Sequence, residues 1–202
     1  IMLFDFTYNE IEYDSKSFYS EKSSRFVSYA FKVNNVSDVK LRLQNIRKLE
    51  KSANHYCYAY VLKHDQSDFR MNDDGEPSST AGKQIYNVIK KFNLTNIIVI
   101  VVRYFGGTKL GISGLIRCYR SCATLAINNS KIINKKIIDL IEINFKIEHI
   151  NSVMKIIKNE NLKIKEQKIS TTSKIILETP RKKVDEILEK LNSNHKLEAN
   201  IL

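Results

Sequence analysis

All six glycines of this 202-residue chain fall between residues 73 and 120, at Gly75, Gly82, Gly106, Gly107, Gly111 and Gly114. Glycine reaches positive φ without a steric penalty and lets a second backbone come close, so confining it to one stretch concentrates the unusual backbone geometry there. The stretch reads DDGEPSSTAGKQIYNVIKKF, then the apolar run IIVIVV, then RYFGGTKLGISGLIRCYR. The pattern predicts a turn, a helix with Ile85, Val88, Ile89 and Phe92 on its apolar face, a strand, a glycine loop and a second helix presenting Leu115, Tyr119, Cys122 and Ala126. The strand at 97–102 is apolar on both faces, as a central strand covered on two sides must be.

The flanking segments supply the rest of an α+β fold. Upstream, SRFVSYAFKV predicts a strand within 22–33. A helix follows, with Ser37 as its cap and Val39, Leu43, Ile46 and Leu49 at helical spacing. In HYCYAYVL the phenols of Tyr56, Tyr58 and Tyr60 alternate with Cys57, Ala59 and Val61, which places three rings on one face and small apolar groups on the other. Near Asn128 the texture changes. The polar, basic stretch 131–136 reads as a linker between a first domain at 1–130 and a second at 137–202. The second domain begins with a strand placing Ile141, Ile143, Phe145 and Ile147 on one face, then a helix with Ile150, Val153, Met154 and Ile157. Strands LKIKEQKIS and SKIILET follow, then a helix after Pro180 and a last strand around LEANIL. The order βαββαβ is that of a ferredoxin-like fold, which hosts many unrelated functions.

Charge and cysteine usage narrow the setting. The net charge is +11, with +6 on residues 1–130 and +5 on 131–202, so the excess is spread along the chain. A basic protein is drawn to polyanions at long range, and a polyanionic partner is one expectation from this surface. No run of about 18 apolar residues is present, and IMLFDFTYNE carries acids where a secretory leader needs basic residues. Three cysteines, Cys57, Cys118 and Cys122, have neither an even count nor metal-type spacing, so reduced thiols, a cytoplasmic setting and no membrane partner are expected.

Three groups of residues could carry chemistry. Tyr56, Tyr58 and Tyr60 could stack bases if their face is open, or cover a second core if it is not. Asp73, Asp74 and Glu76 could hold a hard divalent cation or serve in acid–base catalysis, with His55 activating a nearby thiol or hydroxyl. The same carboxylates could instead bind backbone amides in a tight turn and pair with Arg103. The loop from Gly106 to Gly114 opens a helix whose free amides form an anion site, with Arg103, Lys109, Arg117 and Arg120 adding charge. Its spacing is neither that of a Walker loop nor the Rossmann G-x-G-x-x-G, so a phosphate or an RNA backbone is the expected ligand class and no cofactor or metal is expected.

The string DDGEPSSTAG followed by NIIVIVVRYFGGTKLGISGLIRCYRSCATLAI resembles the signature of the YigZ/IMPACT family, and KSSRFV, Ile46 to Lys48 and Ala53 to Tyr60 agree with it. The match covers most of residues 16–130. It implies an N-terminal domain like the second domain of small-subunit ribosomal protein five, with two helices on one sheet face and a left-handed βαβ crossover. It also implies a ferredoxin-like C-terminal domain like those of translocation-type elongation factors. Eukaryotic relatives act as translational regulators through protein partners. Some bacterial relatives carry a peptidase label, which the scattered histidines at His55, His64, His149 and His195 do not support. The signature falls on Arg25, His55, Cys57, Asp73, Asp74, Gly75, Glu76, Pro77, Thr80, Gly82, Arg103, Tyr104, Gly106, Gly107, Gly111, Gly114 and Arg117. Ser79 and Ser113 stand where the family commonly has glycine, and either would be strained if it needs positive φ.

The sequence therefore predicts a non-enzymatic RNA- or ribosome-associated regulator of translation, with Arg103, Tyr104, Gly106, Gly107, Lys109, Gly111, Gly114, Arg117 and the three tyrosines as its polyanion surface. A protein partner in translation control is expected, and DNA sequence specificity is not. The alternative is a small hydrolase or transferase using Asp73, Asp74, Glu76 and His55 with a divalent metal.

Overall fold

The computed structural model describes residues 6–202; residues 1–5, part of the N-terminal stretch discussed above, lie outside it. The chain divides into two compact units, Thr7–Lys135 and Lys136–Leu202, the second also including Phe6.

The first unit contains β1 (Thr7–Ile11), β2 (Ser15–Glu21), β3 (Ser24–Lys32), α1 (Val36–Leu49), β4 (His55–Leu62), β5 (Asp68–Asn72), α2 (Gly82–Lys91), β6 (Ile97–Tyr104), α3 (Gly111–Asn128) and all but the last residue of β7 (Ile132–Lys136). Five of these strands form a sheet in the order β2-β3-β6-β4-β5, with every neighbouring pair antiparallel. The apolar run makes β6 the central strand, and its side chains from Ile97 to Val102 are fully buried. Burying each aliphatic chain of that size contributes about 1.5–3 kcal/mol, which is why this run dominates the core.

Period-two alternation divides the buried residues between two faces. Phe26, Ala30, Cys57, Ala59, Val61, Val99 and Val101 pack against α2 and α3 through Ile85, Ile89, Leu115, Tyr119 and Cys122. Val27, Tyr29, Tyr56, Tyr60, Ile98, Ile100 and Val102 pack against α1 through Val39 and Ile46. The tyrosine face of β4 is therefore not an open platform: Tyr56 and Tyr60 are buried and Tyr58 is half-buried. The helix read between the two strands crosses over that face and covers it.

The topology itself requires one left-handed crossover. From β3 the chain passes through α1 to the parallel strand β4, skipping β6; from β5 it passes through α2 to the parallel strand β6, skipping β4. Turning the sheet by half a revolution about its normal superimposes the sense of the two connections, yet α1 and α2 lie on opposite faces. The two crossovers are thus of opposite hand, against the strong general preference for right-handed ones.

Two local expectations are corrected. Residues 131–136 are not a linker: Ile132–Lys136 is strand β7, which forms a two-stranded sheet with β1. Glu12 N donates to Lys131 O at 2.7 Å, and Lys135 reaches the buried Glu10 carboxylate at 3.4 Å. Its polar composition suits a strand exposed on one side, and IINKK is too short for alternation to stand out from a loop. The cap of α1 is Asn35, not Ser37. Asn35 Oδ1 accepts from Asp38 N, and Asp38 Oδ2 accepts from Asn34 N, a reciprocal capping arrangement that starts the helix earlier.

The second unit contains β8 (Ile138–Lys146), α4 (Ile150–Asn159), β9 (Lys163–Lys168), β10 (Thr172–Pro180), α5 (Val184–Asn192) and β11 (Leu197–Ile201). Its sheet order, β11-β8-β10-β9 with antiparallel neighbours, is ferredoxin-like. Ile141, Ile143, Phe145, Val153, Ile157, Ile187 and Leu191 form the core. Ile147 leaves the strand in a single 3-10 turn and is exposed, and Met154 lies on the exposed edge of the α4 stripe.

Candidate functional site

The ends of β3, β6 and β4 place Phe26, Arg103 and His55 side by side on the sheet face that carries α2 and α3. Above them sits the turn at 73–81. Asp73 is its organiser: Oδ2 accepts from Ser79 N at 2.9 Å, and Oδ1 accepts from Ala81 N at 3.0 Å and Gly82 N at 2.8 Å. The residue before α2 is Ala81, which has no capping side chain, so Asp73 caps this helix from nine residues upstream. The hydroxyls of Ser78, Ser79 and Thr80 do not cap it; Thr80 Oγ1 donates instead to Pro77 O. Asp74 accepts from Tyr56 N at 2.7 Å and from Arg47 Nη2 at 2.8 Å. Gly82 is required because a Cβ there would lie 2.6 Å from Asn72 N. Ser79 occupies its glycine-like position at φ +64°, whereas Ser113 lies inside α3 without positive φ.

Glu76 is buried and joins the turn to the sheet. Its Oε1 accepts from Arg103 Nη1 at 2.7 Å and from Tyr119 Oη at 2.8 Å, with His55 Nε2 3.9 Å away. His55 Nδ1 lies 2.9 Å from Asp74 O, and Cys57 Sγ lies 2.9 Å from Asp73 O and 3.3 Å from Tyr119 Oη. Burial pushes the Cys57 thiol and the Tyr119 phenol up, well beyond their ordinary values. Cys57 is therefore held as a neutral thiol, and the thiolate that nucleophilic catalysis needs is disfavoured. Among the described residues no group of three or more His, Cys, Asp or Glu side chains is arranged to hold a metal ion. Asp73, Asp74 and Glu76 each turn to a different set of internal donors, so they do not converge on a common point.

Arg103 is likewise committed to the fold. Only 5% exposed, it donates to Glu76 and, at 3.4 Å, to Ser24 Oγ, while its guanidinium lies 5.6 Å from the Phe26 ring centre. The expectation that it faces a surface anion is thus corrected. A buried arginine needs its carboxylate, and that carboxylate here is Glu76.

The glycine loop faces outward. Gly106 is required by close approach: a Cβ there would stand 2.1 Å from the backbone of Ser23 in the β2–β3 turn. Gly107 and Gly111 hold φ +85° and +71°. Lys109 is exposed, and Arg117 is exposed while pairing with Glu21 of β2. Arg120 instead donates to Gln84 of α2 at 2.7 Å. The first turn of α3 carries no acidic residue, and no side chain caps it. Tyr104 is half-buried, its hydroxyl donating to Glu50, and the Arg25 guanidinium lies 4.3 Å over its ring. The roles of Tyr119 and Glu50 escape the sequence reading. Tyr119 sits at an apolar helix position, and no spacing rule marks Glu50, the residue after α1, as acceptor for the Tyr29 and Tyr104 hydroxyls.

The sequence profile of the Impact N-terminal domain matches residues 22–127, more than half of the chain, which takes in strands β3 to β6 of this sheet and its helices but not β2. The chain belongs to the Impact N-terminal domain family. Among curated members, YvyE of Bacillus subtilis is 37% identical over 116 residues, covering 57% of this chain and 54% of that protein. YigZ of Escherichia coli is 34% identical over 100 residues, covering 48% and 49%. The chain spans about half the length of the curated relatives it matches. A crystal structure of a hypothetical protein superimposes with a TM-score of 0.76 at 23% identity, covering 97% of this chain and 96% of that one, so the two-unit fold is shared. Among the described residues no helix is long and apolar enough to cross a membrane.

Proposed function

We propose that this chain is a non-enzymatic RNA- or ribosome-associated protein that regulates translation, engaging a polyanion at the glycine loop and the adjoining sheet end. The observation that carries this reading is the contact at Gly106, where the loop backbone abuts the β2–β3 turn. Two basic segments meet there: the turn and the start of β3 contribute Lys22 and Arg25, and the loop and α3 contribute Lys109 and Arg117, all exposed. Beside them the first amides of α3 have no side-chain cap, and a helix N-terminus in that state favours phosphate. The carboxylates, histidine and thiol that an enzyme would use are occupied in holding the turn to the sheet, which favours binding over turnover. Membership of the Impact N-terminal domain family supports a place in translation control, through RNA, the ribosome or a protein partner, and a cytoplasmic site of action.

The test is binding of ribosomes and of ribosomal RNA at increasing salt. Counterion release predicts a steep fall in affinity with salt, and Lys109→Ala or Arg117→Ala should each weaken binding with little loss of stability. Absent or salt-independent binding would overturn the reading. Measurable turnover of phosphoester, nucleotide or peptide substrates that Asp74→Asn abolishes would favour the metal-dependent enzyme instead.

A further inference from the structure

The polyanion reading leaves open which form of nucleic acid the sheet can take, and β2 supplies an answer. Cross-strand register sets Lys16 opposite Tyr29, Phe18 opposite Val27, Ser20 opposite Arg25, and Arg25 opposite Tyr104. All lie on the face that α1 covers further along, but α1 does not bury the edge: Phe18 is 64% exposed. Lys16 Nζ lies 4.9 Å from the Phe18 ring centre and 4.9 Å from that of Tyr29, and the Arg25 guanidinium lies 4.3 Å over Tyr104. The one carboxylate among them, Glu50, already accepts from the Tyr29 and Tyr104 hydroxyls and pairs with Lys16 at 3.7 Å.

We propose that this strip of β2, β3 and the end of β6 takes unpaired bases of single-stranded RNA, with Phe18 as the stacking platform and Lys16 and Arg25 contacting the flanking phosphates. The proposal rests on the polyanion reading and names the nucleic acid that this surface fits. An open aromatic ring flanked by cations matches a ligand with flat π-faces and a negative backbone, and single strands offer both. A duplex hides its base faces in the stack and shows this surface only phosphates. A single exposed ring gives too little apolar area for a stable protein interface, so charge complementarity favours nucleic acid.

Fluorescence anisotropy of the intact chain decides it, with a labelled oligouridylate of about twelve nucleotides and an RNA duplex of similar length as probes. Phe18→Ala should weaken the single strand by about fivefold or more while Phe18→Trp retains it, and neither should move duplex affinity. Arg25→Ala should weaken both probes and lower the salt slope by about one. Melting curves should be unchanged for Phe18→Ala, because the ring is exposed. Unchanged single-strand affinity in Phe18→Ala, with salt-sensitive ribosome binding intact, would overturn this inference and leave the broader function standing. Loss of a protein partner but not of RNA in Phe18→Ala would also overturn it. No binding of any RNA or ribosome by the wild type would remove both.

Discussion

The two halves of the glycine stretch use similar residues in opposite ways. In the turn at 73–81 each carboxylate is taken up by partners within the chain: Asp73 by three amides, Asp74 by one amide and, at the surface, Arg47, and the buried Glu76 by Arg103 and Tyr119. At the loop and the start of α3, Lys109 makes no ion pair among the described residues, Arg117 pairs at the surface, and the helix amides lack a side-chain cap. A charged motif thus acquires its role from where its partners are. Charge whose partners are internal holds a fold together, and charge left facing water is available to a ligand.

That contrast can be broken first at its buried side. Glu76→Ala strands the Arg103 guanidinium and should cost about 3–5 kcal/mol in urea unfolding, whereas a carboxylate serving only catalysis would cost little. Gly106→Ala forces Ser23 away from the loop and should cost roughly 1–3 kcal/mol, coupling the loop to the β2–β3 turn. Asp73→Ala uncaps α2 and should cost about 2 kcal/mol by the same measurement. In the opposite direction, Ser79→Gly relieves the positive φ and should stabilise by up to about 1 kcal/mol.

Acid should expose a further internal commitment. Burial pushes the Glu10 carboxyl up, but hydrogen bonds from Asn96 and Lys32 and the charges of Lys32 and Lys135 outweigh it, leaving the group below its ordinary value of 4.5. A carboxyl lowered in the folded state contributes stability that is present above that ordinary value and lost as pH falls through the folded one. Urea midpoints should therefore drop on acidification, and Glu10→Gln should flatten that part of the profile.

Much of the fold was legible because its signals are periodic. The apolar run at 97–102, the alternation in β4 and the βαββαβ order each follow from spacing alone. What spacing could not show was which sheet face a helix would cross, and so Tyr56 and Tyr60 read as either platform or core. The turn carboxylates were legible as a choice between metal and amide partners, and only the folded chain decides it, because hydrogen bonds between residues 73 and 82 or 76 and 119 leave no trace in pattern. Phe18 sits on a strand whose alternation, SKSFYSE, is polar on both sides of the ring, so neither the strand nor its exposed aromatic stood out.

The account turns on the exposed cations being the binding surface and the buried pair being scaffold. Ribosome co-sedimentation across a salt series, comparing wild type with the Lys22→Ala, Lys109→Ala double variant at matched melting temperature, tests this most directly. The account predicts wild-type binding that falls steeply with salt and a double variant that binds weakly with a slope lower by about two. A double variant that co-sediments like wild type, or binding indifferent to salt, would contradict it.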